Sequence, residues 1–271
     1  MLRATCHTEG GIVIKFKSPL VPGVFLKRLH RFGALVEIEG RERYVHIPNS
    51  GRLRELLVEG ARVLLRPGPA PDGPGVDGGA AVPGGSTVPT RKTSHTLILV
   101  RHSEHWVSID SGMPRGLLLE AWRNRVLEGF AGYEAFRPEV FYGQSRLDFL
   151  LTGPDVPPCW VEAKSVTLVV DGEARFPDAP TDRGARHLRE LAAARAEGLR
   201  AAVIFVIQRE DAVAFAPNDG TDPVFGDELR RSAAAGVEVH AATCRVEERG
   251  IEIGPGELPV RLSPETKSLI K

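Results

Sequence analysis

The sequence predicts an α/β protein of the mixed α+β kind in two parts: a barrel of short strands, then a mixed β-sheet flanked by helices. Three observations lead there. Short apolar or alternating runs bounded by turn residues fill the first hundred residues. Beyond residue 112, helical and strand patterns succeed one another in the order α-β-β-β-α-β-α-β. Charge is also unevenly distributed along the chain. Residues 1–66 carry 12 Lys+Arg against 6 Asp+Glu, in a 271-residue chain whose 35 basic and 35 acidic residues cancel overall.

In the first part, 11–16, 32–38 and 44–47 read as strands, with Glu39-Gly40 as a turn. Pro48-Asn49-Ser50-Gly51 is turn chemistry, and Ser50 is placed to cap a short helix over 52–57. Residues 62–65, 95–100 and 106–110 complete the strands. Between them, residues 67–90 hold 6 Pro and 7 Gly and no aromatic residue. Such a segment buries too little apolar surface to offset its ordering entropy, so it reads as a long hairpin loop inside the first domain. About five short strands and one small helix in a basic domain of this size fit an OB-fold, the oligonucleotide-binding barrel. The domain is assigned to 1–112 and its successor to 113–271.

The second part opens with a helix over 117–130, where Leu118, Ala121, Trp122 and Val126 form a stripe. Strands follow at 134–141, 146–151 and 160–165. A helix over 182–197 is capped by Thr181 or Asp182 and closed by Gly198. The unbroken apolar run 201–207 suits a strand covered on both faces. A helix at 225–235 and a strand at 237–240 finish the core.

Hydrophobic residues make up 42% and charged residues 26%, as in ordinary globular proteins. No apolar run has membrane-spanning length, and the N-terminus lacks a signal-peptide core, so no membrane partner is expected. Cys6, Cys159 and Cys244 are widely spaced with no metal or redox pattern, which predicts a cytoplasmic setting.

The chemistry is concentrated in Ser145–Leu151 and Trp160–Lys164. Charged residues are almost never fully buried unless paired or ligand-bound, yet both runs read as strands carrying charge. Side chains alternate along a strand, so Arg146, Asp148 and Leu150 share one face, and Trp160, Glu162 and Lys164 share another. Pairing the two strands brings two carboxylates and an ammonium to one point. Such a group can hold Mg²⁺ or Mn²⁺, which take carboxylate oxygens and lower the pKa of a bound water. Lys164 can position that water. The competing reading is a buried ion pair between Lys164 and Asp148, with Glu162 at a solvated edge. For a third carboxylate, Glu139 on the preceding strand competes with Glu120 on the first helix. Arg183 and His187, four apart, share a helix face that can look onto the site. Gln208 either joins the site or closes a ladder.

An Asp followed by Glu-x-Lys on adjacent strands, within this element order, resembles the PD-(D/E)XK nuclease-like superfamily, whose core is the restriction-endonuclease-like sheet. Longer strings are more specific. Val45–Leu53, Pro138–Leu150, Val161–Leu168, Phe176–Leu191 and Phe205–Arg209 resemble the sugar fermentation stimulation protein A family over nearly the whole chain outside 67–90. Ala163 stands where that family usually has Val, Pro180 interrupts its Asp-Ala-Val-Thr run, and Arg115 replaces a common Asn. The first two spare the site geometry, while the third leaves the domain junction open.

The resemblance implies an N-terminal OB-fold, a nuclease-like C-terminal domain, sequence-nonspecific DNA binding and a regulatory role in sugar, notably maltose, metabolism. The expected function is therefore DNA binding, with a metal-dependent DNA nuclease as the alternative. Catalysis falls to Asp148, Glu162 and Lys164, and metal binding to Asp148, Glu162 and Glu139. Nucleic-acid contacts fall to Lys27, Arg28, Arg31, Arg52, Arg146, Arg183 and His187. Phe25, Phe32 and Tyr44 are candidates to stack on bases, with Phe32 expected in the core because it opens a strand. Oligomeric state stays open, a homodimer being one option.

Overall fold

The computed structural model of the protein describes residues 13–68, 93–254 and 256–263. Residues 69–90 of the Pro/Gly-rich loop, Cys6 and the start of the first predicted strand lie outside them. The first strand, β1 (Val13–Lys15), precedes a run of six: β2 (Val21–His30), β3 (Gly33–Ile38), β4 (Arg41–His46), β5 (Arg62–Pro67), β6 (His95–His102) and β7 (His105–Ser108). Strands β4-β3-β2-β5-β6 are hydrogen-bonded in that order, and a parallel bridge from His46 to Thr96 joins the ends into a closed five-stranded barrel, with β7 beyond β6. The β3–β4 turn has positive φ at both Glu39 and Gly40, the twist that a two-residue hairpin requires. Inward residues Phe25, Val36, Val45, Val63 and Leu97 fill the barrel.

The chain then builds α1 (Met113–Arg123), β8 (Ala135–Tyr142), β9 (Ser145–Gly153) and β10 (Val156–Val166). A short β11 (Val169–Val170) and β12 (Glu173–Phe176) lead into α2 (Asp182–Ala196), β13 (Arg200–Ile207), β14 (Ala214–Pro217), α3 (Pro223–Ala234), β15 (Glu238–Glu247) and β16 (Gly250–Ile253). The principal sheet runs β1-β16-β15-β13-β10-β9-β8. Strand β13 lies parallel to both β10 and β15 at its centre, which explains its unbroken apolar sequence. Leu117, Leu118 and Ala121 of α1 pack on one face, together with Leu64, Ile98, Leu99 and Trp106 of the barrel. Leu188 and Leu191 of α2 and Phe225 and Leu229 of α3 cover the other. One buried cluster therefore spans barrel and sheet, beside a separate core inside the barrel and another under α2 and α3.

Several expectations change. Strand β1 pairs with β16 in the principal sheet, so residues 13–15 belong with the second part of the molecule rather than with the barrel. Residues 52–57 form a turn: Leu53 adopts φ 52° and its carbonyl accepts from the N–H groups of Leu56 and Leu57, a left-handed start that no α-helix continues. The first helix begins at Met113, four residues before the start its pattern predicts, because Pro114 suits the first turn and Met113 N–H donates back to the Asp110 carbonyl. It ends at Arg123; Glu128–Phe130 is a separate 3₁₀ turn. Thr181 is the N-cap of α2, accepting from Gly184 N–H. The small sheet β11-β12-β14 and the closing strand β16 were not expected. Cys159 and Cys244 are free and buried. Among the described residues no helix is long and apolar enough to cross a membrane.

Candidate metal-dependent site

The pairing of β9 with β10 is regular from Leu151–Cys159 to Phe149–Val161 and stops there. At the next position Asp148 turns its side chain into the ladder, and Oδ2 accepts the Ala163 N–H at 2.9 Å. This replaces a missing backbone partner and leaves Oδ1 directed outward, with Arg115 Nε at 3.9 Å. Glu162 follows the same rule by other means. Its Oε1 accepts from Lys164 Nζ at 2.7 Å and from His187 Nδ1 at 2.5 Å, while Oε2 is buried with no hydrogen-bond partner. Each carboxylate thus commits one oxygen to the scaffold and leaves the other free.

The imidazole's role is fixed by its second nitrogen. Arg183 Nε lies 3.2 Å from His187 Nε2, and a guanidinium only donates, so Nε2 accepts and Nδ1–H donates to Glu162. Helix α2 positions this pair, since residues four apart stack on one face.

Electrostatics divide the two carboxylates. Burial pushes Asp148 up to about 6, with the neighbouring Glu162 charge adding to it; the Ala163 N–H, Lys164 and Arg115 act in the opposite direction. Burial also works against ionisation of Glu162. There the Lys164 ammonium and the His187 hydrogen bond prevail and hold the carboxyl down at about 2. At neutral pH Glu162 is therefore charged, while Asp148 is held much nearer to protonation.

The three residues line a cleft of about 610 Å³ between the barrel and the sheet. Arg31, Asn49 and Ser50 line it from the barrel side; Arg115, Arg175 and Arg183 line it from the other. The walls are fastened together. Leu53 N–H donates to Asp178 Oδ2 at 2.6 Å, and a Cβ on Gly51 would meet that oxygen at 2.8 Å, so only glycine allows this approach. Gln208 Oε1 accepts from Ser108 Oγ at 2.9 Å, and its Nε2 donates to the Asp110 carbonyl and to Ser165 Oγ. It joins neither the site nor a ladder end alone: it is a fully buried tie between the two parts.

The placement of the predicted site residues is uneven. Asp148, Glu162 and Lys164 converge as expected. The ion pair also exists, but Lys164 pairs with Glu162, and that pair is buried rather than at a solvated edge. Glu139 does not join the two carboxylates. A positive φ of 51° turns it toward Arg115 Nη1 at 2.5 Å, with Arg146 Nη2 at 3.6 Å. Glu120 pairs with Arg123 along α1, a surface contact. His187 is 2% exposed and cannot touch a phosphate; its part is to orient Glu162. Arg28 donates to the carbonyls of His30, Arg31, Gly51 and Arg52, so it braces the barrel loop rather than presenting itself to a ligand. Lys27, Arg31, Arg52, Arg146 and Arg183 are exposed. Phe25 is core, whereas Phe32 is exposed and stacks on His46, the reverse of the expectation for Phe32.

Sequence reasoning missed Arg115, Asp178 and the Gln208 tie. Arg115 was visible only as a departure from a family pattern, and the other two act across more than 90 residues, where no spacing rule applies.

The donor set fits a divalent cation. Among the described residues no cluster of three His, Cys, Asp or Glu side chains has metal-holding geometry. Two carboxylates with bound water, however, are an ordinary arrangement for Mg²⁺. The orphaned, buried Glu162 Oε2 is the observation that calls for such a partner.

Fold and site together define a protein in which an OB-like barrel and a mixed sheet flanked by helices enclose a carboxylate–lysine site at their shared cleft. Residues 26–109 match the family described as the SfsA N-terminal OB domain, and residues 112–250 match the sugar fermentation stimulation protein RE domain. The chain is 50% identical over 245 residues to the sugar fermentation stimulation protein homolog of Symbiobacterium thermophilum, covering 88% of this chain and 94% of that relative. The homolog of Caldanaerobacter subterraneus subsp. tengcongensis is 44% identical over 238 residues, covering 88% and 95%. The structure of Pyrococcus furiosus SfsA in complex with Ca²⁺ superposes with a TM-score of 0.77 at 29% identity, covering 92% of this chain and 98% of that one. The chain belongs to the sugar fermentation stimulation protein family.

Proposed function

We propose that this protein binds DNA without sequence preference along the cleft and that Asp148, Glu162 and Lys164 form a metal-dependent phosphodiesterase centre. The observation that carries this reading is the pair of uncommitted oxygens, Asp148 Oδ1 and Glu162 Oε2, in a cleft where Arg31, Arg115, Arg175, Arg183 and Lys164 outnumber the remaining acids, Asp178 and Asp182. These two oxygens would hold Mg²⁺ or Mn²⁺. The ion would neutralise charge on the phosphoryl oxygens and acidify a bound water. Lys164 keeps Glu162 ionised and brings an ammonium to the cleft wall, where it orients a water or phosphate oxygen. His187 fixes the rotation of the Glu162 carboxylate. The exposed Lys27, Arg31 and Arg52 extend the positive track over the barrel and hold phosphates irrespective of base sequence. A solved relative of this fold is described as a complex with Ca²⁺, which supports the reading of a divalent-cation site here. A regulatory role in sugar metabolism would then rest on DNA binding, in keeping with the name its relatives carry.

A second reading, binding without cleavage, is favoured by the same Lys164–Glu162 pair. An ammonium held at 2.7 Å by a buried carboxylate is not free to move to a substrate. Incubation of single-stranded, duplex and branched DNA with Mg²⁺ or Mn²⁺ separates the two. Cleavage lost in Asp148→Asn with binding retained establishes the enzyme. Binding without product on every substrate establishes the module.

A further inference from the structure

Beside the two carboxylates lies a second, smaller cavity of about 280 Å³ that the proposed chemistry does not use. Arg115, Arg146 and Arg183 wall it, with Glu139 and Asp148 as its acids. We infer that this cavity is a phosphate subsite in which the Glu139 carboxylate occupies the ligand's place until a nucleic-acid phosphate displaces it. The inference deepens the DNA-binding reading and rests on it for the source of the phosphate.

The three arginines come from three different elements, α1, β9 and α2, and converge on one space. Exposed arginines that share a pocket repel one another, so such a convergence calls for an anion. Glu139 supplies one: its Oε1 lies 2.5 Å from Arg115 Nη1 and 3.6 Å from Arg146 Nη2. A carboxylate and a phosphate present similar oxygens to a guanidinium, and both are bound through charge-assisted hydrogen bonds. Glu139 is nevertheless a weak holder. It is 43% exposed, makes one short contact, and sits on an edge strand at a left-handed φ of 51°. A surface pair of this kind contributes little and exchanges readily. A water takes up about 30 Å³ in the liquid, so the cavity accommodates a phosphate with part of its hydration.

The arginines themselves are well placed. Arg115 is set by the start of α1, which is anchored where Gly112 N–H donates to Asp110 Oδ1 and Gln208 holds the Asp110 carbonyl. Arg183 is oriented by its Nε contact to His187, leaving its terminal nitrogens toward the cleft without another hydrogen bond among the described residues. Because Asp148 lines both cavities, a phosphate seated here is the neighbour of the one at the carboxylates. The subsite would therefore fix which bond of the strand reaches the site.

The test uses the full chain without divalent metal, with inorganic phosphate and one short single-stranded oligonucleotide, made with and without a 5′-phosphate, as probes. Anisotropy reads oligonucleotide binding, and thermal shift reads phosphate. Glu139→Gln is expected to tighten every phosphate-bearing probe several-fold. Arg115→Ala is expected to weaken them about tenfold or more and to lower the salt dependence by about one phosphate's worth. Extra affinity from the 5′-phosphate assigns the subsite to strand ends; equal affinity assigns it to internal phosphates. A response to inorganic phosphate alone, with the same mutant pattern, keeps the subsite and removes the DNA reading. Unchanged or weaker binding in Glu139→Gln, or DNA binding indifferent to Arg115→Ala, overturns the subsite.

Discussion

The floor and the rim of the cleft are built from the same materials, ion pairs between carboxylates and basic side chains, and behave differently because of burial alone. On the floor, Glu162, Lys164 and His187 have side-chain exposures of 5%, 10% and 2%. On the rim, Arg115, Glu139 and Arg146 are 45%, 43% and 51% exposed. A buried pair is locked, because separating it strands a charge in low dielectric. A rim pair has water as an alternative partner and is worth at most about 1 kcal/mol. The floor can therefore define geometry, and the rim can change partners.

Three experiments press on this contrast. The largest effect is expected from Glu162→Gln, which leaves the Lys164 ammonium buried without its counter-charge. Denaturant unfolding is expected to show a loss of roughly 3–5 kcal/mol, the usual cost of breaking a buried pair. A loss below about 1 kcal/mol would put this pair in the rim's class.

Next comes the titration of Asp148. Its folded pKa is raised to about 6 from 3.8, so between those values the folded state holds more protons than the unfolded one. The metal-free protein should lose stability from this group as pH rises through that window, on the order of 3 kcal/mol in all. Asp148→Asn should be more stable than wild type above pH 6, and the difference should shrink toward pH 4. Glu162 has the opposite sign: its contribution is complete above about 4.5 and is lost as pH falls toward about 2. A wild-type-minus-Asn difference that is flat from pH 4 to 7 would contradict the assignment. Smallest of all, Glu139→Gln should move the unfolding free energy by less than about 1 kcal/mol, whatever it does to ligand binding.

The floor was legible in the sequence and the rim was not. Asp148, Glu162 and Lys164 stand out because charge inside a strand violates the usual burial pattern, and alternation by two then fixes their faces. Rim partners violate nothing: an arginine on a helix and a glutamate on an edge strand are unexceptional singly, and only folding brings Arg115 to Glu139. Much of the fold was legible for the same reason, since β13, α2 and the barrel strands follow periodicity. Strand β1 was assigned to the wrong body because three residues carry no register, and their partner lies more than 230 residues away. Phe32 falls outside the core because it lies in the β2–β3 turn, one residue before β3 begins, where strand alternation does not apply. The turn at 52–57 was misread as a helix because its backbone is dictated by Leu53 at positive φ and by Asp178 across the cleft.

Strand β1 has a consequence for motion. From β1 in the principal sheet the chain leaves to build the barrel and returns through α1, so the barrel is spliced into the other body and attached by two covalent connections. A body hung from one point can tumble about it; hung from two, it keeps a single swing axis. With Gln208 tied to Ser108 beside the second crossing, and Leu64, Ile98 and Leu99 of the barrel packed in one cluster with α1 and the sheet, that swing is restrained as well, and the spacing of the cleft walls is set by the chain path.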